Sequence, residues 1–110
     1  MPKYLVLYRA SSDAQAQMGD MTPEQAQAGM ELWMQWAGKA GSSLVDLGAP
    51  VQPVATLGTD GGKDLPIAGF SILDAGSKDA VTKLLEDHPH FHTPGATAID
   101  VLEFQPIPGS

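Results

Sequence analysis

Six segments in the order strand, helix, strand, strand, helix, strand predict an α+β domain of the ferredoxin-like split βαβ type, a four-stranded antiparallel sheet with two helices on one face. Three observations carry this. An apolar run opens the chain. Two stretches of helical periodicity each begin at a capping residue. The remaining apolar runs are short, and turn residues such as Gly48, Pro50 and the Asp60-Gly61-Gly62 stretch separate them. With 110 residues, the whole chain (1–110) fits a single domain.

The elements follow in order. "KYLVLYR", Lys3 to Arg9, is apolar through its middle and reads as a central strand. Thr22 is a natural N-cap, Pro23 suits the first helical position, and Gln25 completes a capping box. Ala26, Met30, Trp33, Met34 and Ala37 then recur on one helical face, which Trp36 and Ala40 widen, and Gly41 ends the helix. Gly29 and Gly38 weaken this helix and are read as marks of close approach to the sheet. Ser43 to Leu47 offers a second strand, stopped by Gly48 and Pro50. "VQPVATLG" holds Pro53, which limits it to an edge segment, and "TDGGKDLP" has the residues of a tight turn. Ile67 to Leu73 is the third strand. Ser77 caps a shorter helix with Asp79 in its first turn, Val81, Leu84 and Leu85 on its apolar face, and Pro89 at its close. Ala96 to Phe104 is the fourth strand.

Charge narrows the partners. Thirteen acids oppose six scattered bases, and a net charge of −7 disfavours nucleic acid and anionic lipid. The absence of cysteine removes thiol catalysis and Cys-type metal sites. Neither a signal peptide nor a run of about twenty apolar residues is seen, so a cytoplasmic protein with no membrane contact is expected. The sheet face away from the helices keeps apolar residues from both central strands and has to be covered. Packing against a second copy does this most simply, so a homodimer is expected.

The chain resembles the YCII-related proteins, a family that includes a group marked by a DGPF motif. The likeness lies in "KYLVLY", "TPE", "MELWMQWAGKAG", "DGG" ahead of "IAGFSIL", "SKDAVTKLL", "HPHF" and "VLEFQPI". Asp60-Gly61-Gly62-Lys63 stands where that group has Asp-Gly-Pro-Phe. The family's helix histidine falls at Met30, and its aspartate before proline is matched by His88. The resemblance implies a dimeric α/β barrel. It also implies kinship with lyase-type or dehydrochlorinase-type enzymes and with barrels that work without a bound cofactor. No cofactor is therefore expected.

All three histidines, His88, His90 and His92, fall in "EDHPHFHTPG". An extended His-x-His-x-His would turn three rings to one side and suit a transition metal. Pro89 and Pro94 interrupt that geometry, and a loop of this composition would often be solvent-exposed. The metal reading (His88, His90, His92) thus stands as an alternative beside a pocket lining and a surface or capping role. Histidine is the natural general base near neutral pH. The candidate catalytic residues are His88 as acid or base, Asp100 as its orienting acid with Asp87 and Glu103 as alternatives, and Arg9, the only arginine, as the holder of a ligand carboxylate. Asp100 and Glu103 lie an odd distance apart and so face opposite sides of the sheet. Trp36, Phe70, Tyr8 and His90 are candidates for lining a ligand site, with Trp33 assigned to the core; a plain core role stands beside each aromatic. Two functions stay open. One is a cofactor-free lyase or isomerase type of enzyme acting on a small apolar or aromatic acid. The other is a non-catalytic, dimeric, small-ligand-binding or accessory protein.

Overall fold

The computed structural model describes residues 3–11, 20–55, 57–58, 65–92 and 97–106. The Asp60–Lys63 turn and the side chain of His92 lie outside that set. The elements are strand β1 (Lys3–Ala10), helix α1 (Pro23–Ala40), a 3-10 turn (Gly41–Ser43), β2 (Leu44–Asp46), β3 (Ile67–Asp74), α2 (Lys78–Leu85), a second 3-10 turn (Pro89–His92) and β4 (Thr97–Glu103). The sheet order is β2-β3-β1-β4 with every pair antiparallel, which is the split βαβ arrangement.

The expected barrel is corrected. β2 and β4 are opposite edges of the sheet and do not pair, so the four strands form an open layer. Closure requires the two edges to meet; here one edge is the three-residue β2 and the other is β4, which among the described strands pairs with β1 alone.

Local chemistry explains the starts of the helices. The Thr22 hydroxyl accepts from the Gln25 backbone at 3.2 Å while the Gln25 side chain accepts from Thr22 N–H at 3.0 Å. Ser77 likewise accepts from Ala80 N–H at 3.2 Å. These bonds satisfy N–H groups that have no partner inside the helix.

Alternation along β1 sorts its side chains. Tyr4, Val6, Tyr8 and Ala10 are buried beneath the helices, whereas Leu5, Leu7 and Arg9 sit half-buried on the outer face. β3 does the same, with Gly69, Ser71 and Leu73 inward and Phe70 and Ile72 outward. The core joins Tyr4, Val6, Tyr8 and Leu73 to Trp36 and Ala40 of α1 and to Val81 and Leu85 of α2. Helix α1 buries only its C-terminal half; Met30 and Met34, expected on its inner face, are more than half exposed. Gly29 and Gly38 have nothing within 4 Å of where a side chain would go, so close approach to the sheet does not explain them. Gly48 does sit at a close approach: with φ 81, it crosses the Phe70 carbonyl where any β-carbon would collide. Beyond it, Ala49 O accepts from Phe70 N–H and Val51 N–H donates to Ala68 O, so this proline-bearing segment runs on along β3 as an edge. Among the described residues no helix is long and apolar enough to cross a membrane.

Candidate functional site

The candidate residues separate into two groups on opposite faces of the sheet. On the helix side, His88 is fully buried, with ring centroids of Trp36, Trp33 and Tyr8 at 4.3, 4.4 and 4.8 Å. It gets there because Pro89 opens a 3-10 turn that folds under α1, where the sequence pointed to an exposed loop. His88 Nδ1 accepts from His90 N–H at 2.9 Å, so the neutral ring carries its proton on Nε2. That Nε2 has no hydrogen-bond partner among the described residues. Burial, helped by the neighbouring His90, pulls the pKa of His88 down to about 3, so the ring is uncharged at neutral pH.

Tyr8 belongs to the same cluster. Its hydroxyl donates to Ser71 Oγ at 2.9 Å, and Ser71 donates on to Leu47 O at 2.6 Å. Burial pushes the phenol up to about 12, against a smaller opposing pull from the Ser71 bond. Trp36 is buried, and its indole N–H donates at 2.8 Å to Leu84 O, one of the carbonyls left open in the last turn of α2. Trp36 is the deeper of the two tryptophans, and Trp33 is part-buried, packed on the core against Tyr8 and His88.

The outer face holds the second group. Arg9 Nε meets Asp100 Oδ2 at 2.5 Å, and Arg9 Nη1 donates to Leu65 O at 2.8 Å. The Asp100 side chain is 48% exposed and that of Arg9 is 25% exposed. The β1–β4 register sets Leu7 opposite Asp100 and Arg9 opposite Ala98, so the pair bridges diagonally. Leu7 is also opposite Phe70, and Arg9 opposite Ile67, which makes the surroundings of the ion pair apolar. Glu103 pairs with Tyr4, on the other face from Asp100, as the odd spacing implied.

His90 connects the groups. It is buried, and its Nε2 lies 2.7 Å from the backbone oxygen of Arg9. The structure thus brings Arg9 to Asp100, and His88 to Tyr8, Trp36 and His90; it does not bring His88 to Arg9 or Asp100. Two surface hollows flank α1. One of about 410 Å³ is lined by Gln27, Met30, Glu31, Met34 and Gln35, and one of about 240 Å³ is lined by Leu32, Gln35, Trp36, Lys39, Asp87 and Pro89. Neither includes His88 or Arg9. Among the described residues no three His, Asp or Glu side chains group as metal ligands. Reading the sequence missed Ser71 and the Leu65 carbonyl. Ser71 left a trace, since it is the one polar residue at an inward position between Gly69 and Leu73.

No family model matches the chain, and no curated protein gives a significant match, so membership of the YCII-related family is not shown. Among solved structures, the chain is similar to the 5-chloro-2-hydroxyhydroquinone dehydrochlorinase of Burkholderia phenoliruptrix AC1100 in complex with 2,5-dihydroxybenzoquinone. That similarity has 22% sequence identity, covers 89% of this chain and 90% of that one, and has a TM-score of 0.48.

Proposed function

We propose that the outer face of the sheet binds a small apolar or aromatic acid at Arg9, and that Asp100 takes a proton from it in a lyase or isomerase type of reaction needing no cofactor. The observation that carries this reading is the half-open Arg9–Asp100 pair set among Leu7, Ile67 and Phe70. A guanidinium has five N–H donors in a fixed fork. Described partners take two of them, Asp100 and the Leu65 carbonyl. A ligand carboxylate pairs with such a fork in two parallel bonds, while its hydrocarbon body lies on the apolar wall. Bringing in that second anion loosens the hold on Asp100, whose freed carboxylate then sits on the same face as the bound acid. A second copy of the chain packed over this face belongs to the same proposal, because it would bury the apolar side chains and shield the ligand from water.

Calorimetry with benzoate and the uncharged benzamide tests the anchor. Benzoate is expected to bind the native chain, and Arg9→Ala to weaken it at least tenfold while leaving benzamide unchanged. No binding, or equal binding by both chains, ends the reading. A second reading, passive binding without turnover, is favoured by one observation: His88 is sealed from solvent and set apart from the acid-binding face. Incubation of the native protein with a panel of small aromatic and unsaturated acids, followed by product analysis, separates the two. Any turnover lost in Asp100→Asn supports the first reading, and binding with no product supports the second.

A further inference from the structure

We infer that His90 is a positioning residue that sets the Arg9 anchor from behind the sheet. This rests on the ligand-binding reading of Arg9 and deepens it.

The β1–β3 ladder is irregular where the anchor sits. Tyr8 pairs with Gly69 but Arg9 pairs with Ile67, so Ala68 is an extra residue on β3. A bulge bends the strand that carries the extra residue, here β3, directly beside Arg9. The end of β1 pairs with β3 on one side and β4 on the other, and further bonds reach it. Ala10 N–H donates to Pro66 O at 3.1 Å, and Arg9 O receives His90 Nε2 at 2.7 Å. A carbonyl only accepts, so Nε2 of His90 carries the proton and the ring acts as donor.

The backbone that carries the His90 ring is itself held in place. Its backbone N–H donates to His88 Nδ1, and Phe91 N–H donates to His88 O at 3.1 Å, which closes the 3-10 turn around His88. His88 is wedged among Tyr8, Trp33 and Trp36. A packed aromatic cluster on the helix side therefore reaches through His90 to the main chain of the one arginine on the outer face. Removing the donor leaves the Arg9 carbonyl without this partner. The strand end then turns toward another, and the guanidinium moves with it.

The test uses the Arg9 Nε–H resonance in nitrogen-edited NMR together with benzoate and benzamide titrations. His90→Phe keeps a ring without the donor, and His90→Gln keeps an N–H donor. His90→Phe is expected to shift the Arg9 Nε–H signal and raise the benzoate Kd about tenfold, with benzamide unchanged. His90→Gln is expected to recover at least half of that loss. His90→Leu, a second donorless side chain, carries the same expectations should His90→Phe not fold. An unmoved Nε–H signal with native benzoate affinity overturns the inference. So does equal weakening of benzoate and benzamide, which marks a general structural role. If Arg9→Ala binds benzoate as the native chain does, the ligand reading falls. The Nε–H signal needs no ligand and then decides the His90 contact alone.

Discussion

His88 is buried as a neutral ring, and this fixes a direction for the effect of pH. Its pKa in the folded chain is about 3, below the value near 6.5 of a free histidine. The unfolded chain therefore takes the proton first. The stabilisation is fully present above about pH 6.5 and is lost as pH falls toward 3, with a slope of about 1.4 kcal/mol per pH unit for one proton. Urea unfolding at pH 7, 5.5 and 4 should show the native chain losing stability faster than His88→Asn, whose amide oxygen can still accept from His90 N–H. Parallel pH profiles would falsify the assignment. Sequence reading singled out His88 and Arg9 because each is a rare polar type, and it separated Asp100 from Glu103 by parity. It did not find His88 inside the core, since that depends on the 3-10 turn docking beneath α1 and on rings from β1 and α1 far away in the chain. The Arg9–Asp100 bridge was equally out of reach. It follows from the β1–β4 register, which joins residues 91 positions apart.

At the scale of elements, glycines with the same composition have opposite roles. Gly48 combines positive φ with a backbone carbonyl in the space a side chain would need. Gly48→Ala should cost on the order of 3 kcal/mol and lower Tm by at least about 10 °C, as positive-φ strain adds to steric conflict. Gly29 lies in open space within α1, so Gly29→Ala should stabilise the chain by about 0.5–1 kcal/mol. Calorimetric melting of both variants checks the contrast, and a harmless Gly48→Ala would refute the crossing over Phe70. Capping chemistry made both helix starts legible, because a cap is a local bond between residues three apart. The extent of burial along α1 was less so. Its periodic stripe named Met30 and Met34 as inward residues, but only the half near Trp36 and Ala40 has the sheet beneath it.

For the whole molecule, the open sheet leaves Leu5, Leu7, Phe70 and Ile72 half-buried and Leu102 exposed on one side. Buried apolar surface contributes about 25 cal/mol per Å², so covering this side is a substantial driving force that the net charge of −7 opposes only through screened repulsion. Light scattering at micromolar concentration is expected to give twice the chain mass, and Leu7→Asp to give the single mass while keeping the native circular dichroism spectrum. A native chain that runs as a monomer would remove the covering copy from the proposed site.

What the sequence determined by itself was the order of elements, the helix caps, the alternation of strand faces and a chemistry without thiols. Each depends on neighbours a few residues apart, within reach of backbone periodicity. Only the tertiary structure decided that the sheet stays open, that His88 is enclosed by aromatic rings, and that Arg9 meets Asp100 on the far side. Those outcomes come from strand register and from contacts between distant segments, where free energy is set by what packs against a residue and no longer by the residue itself.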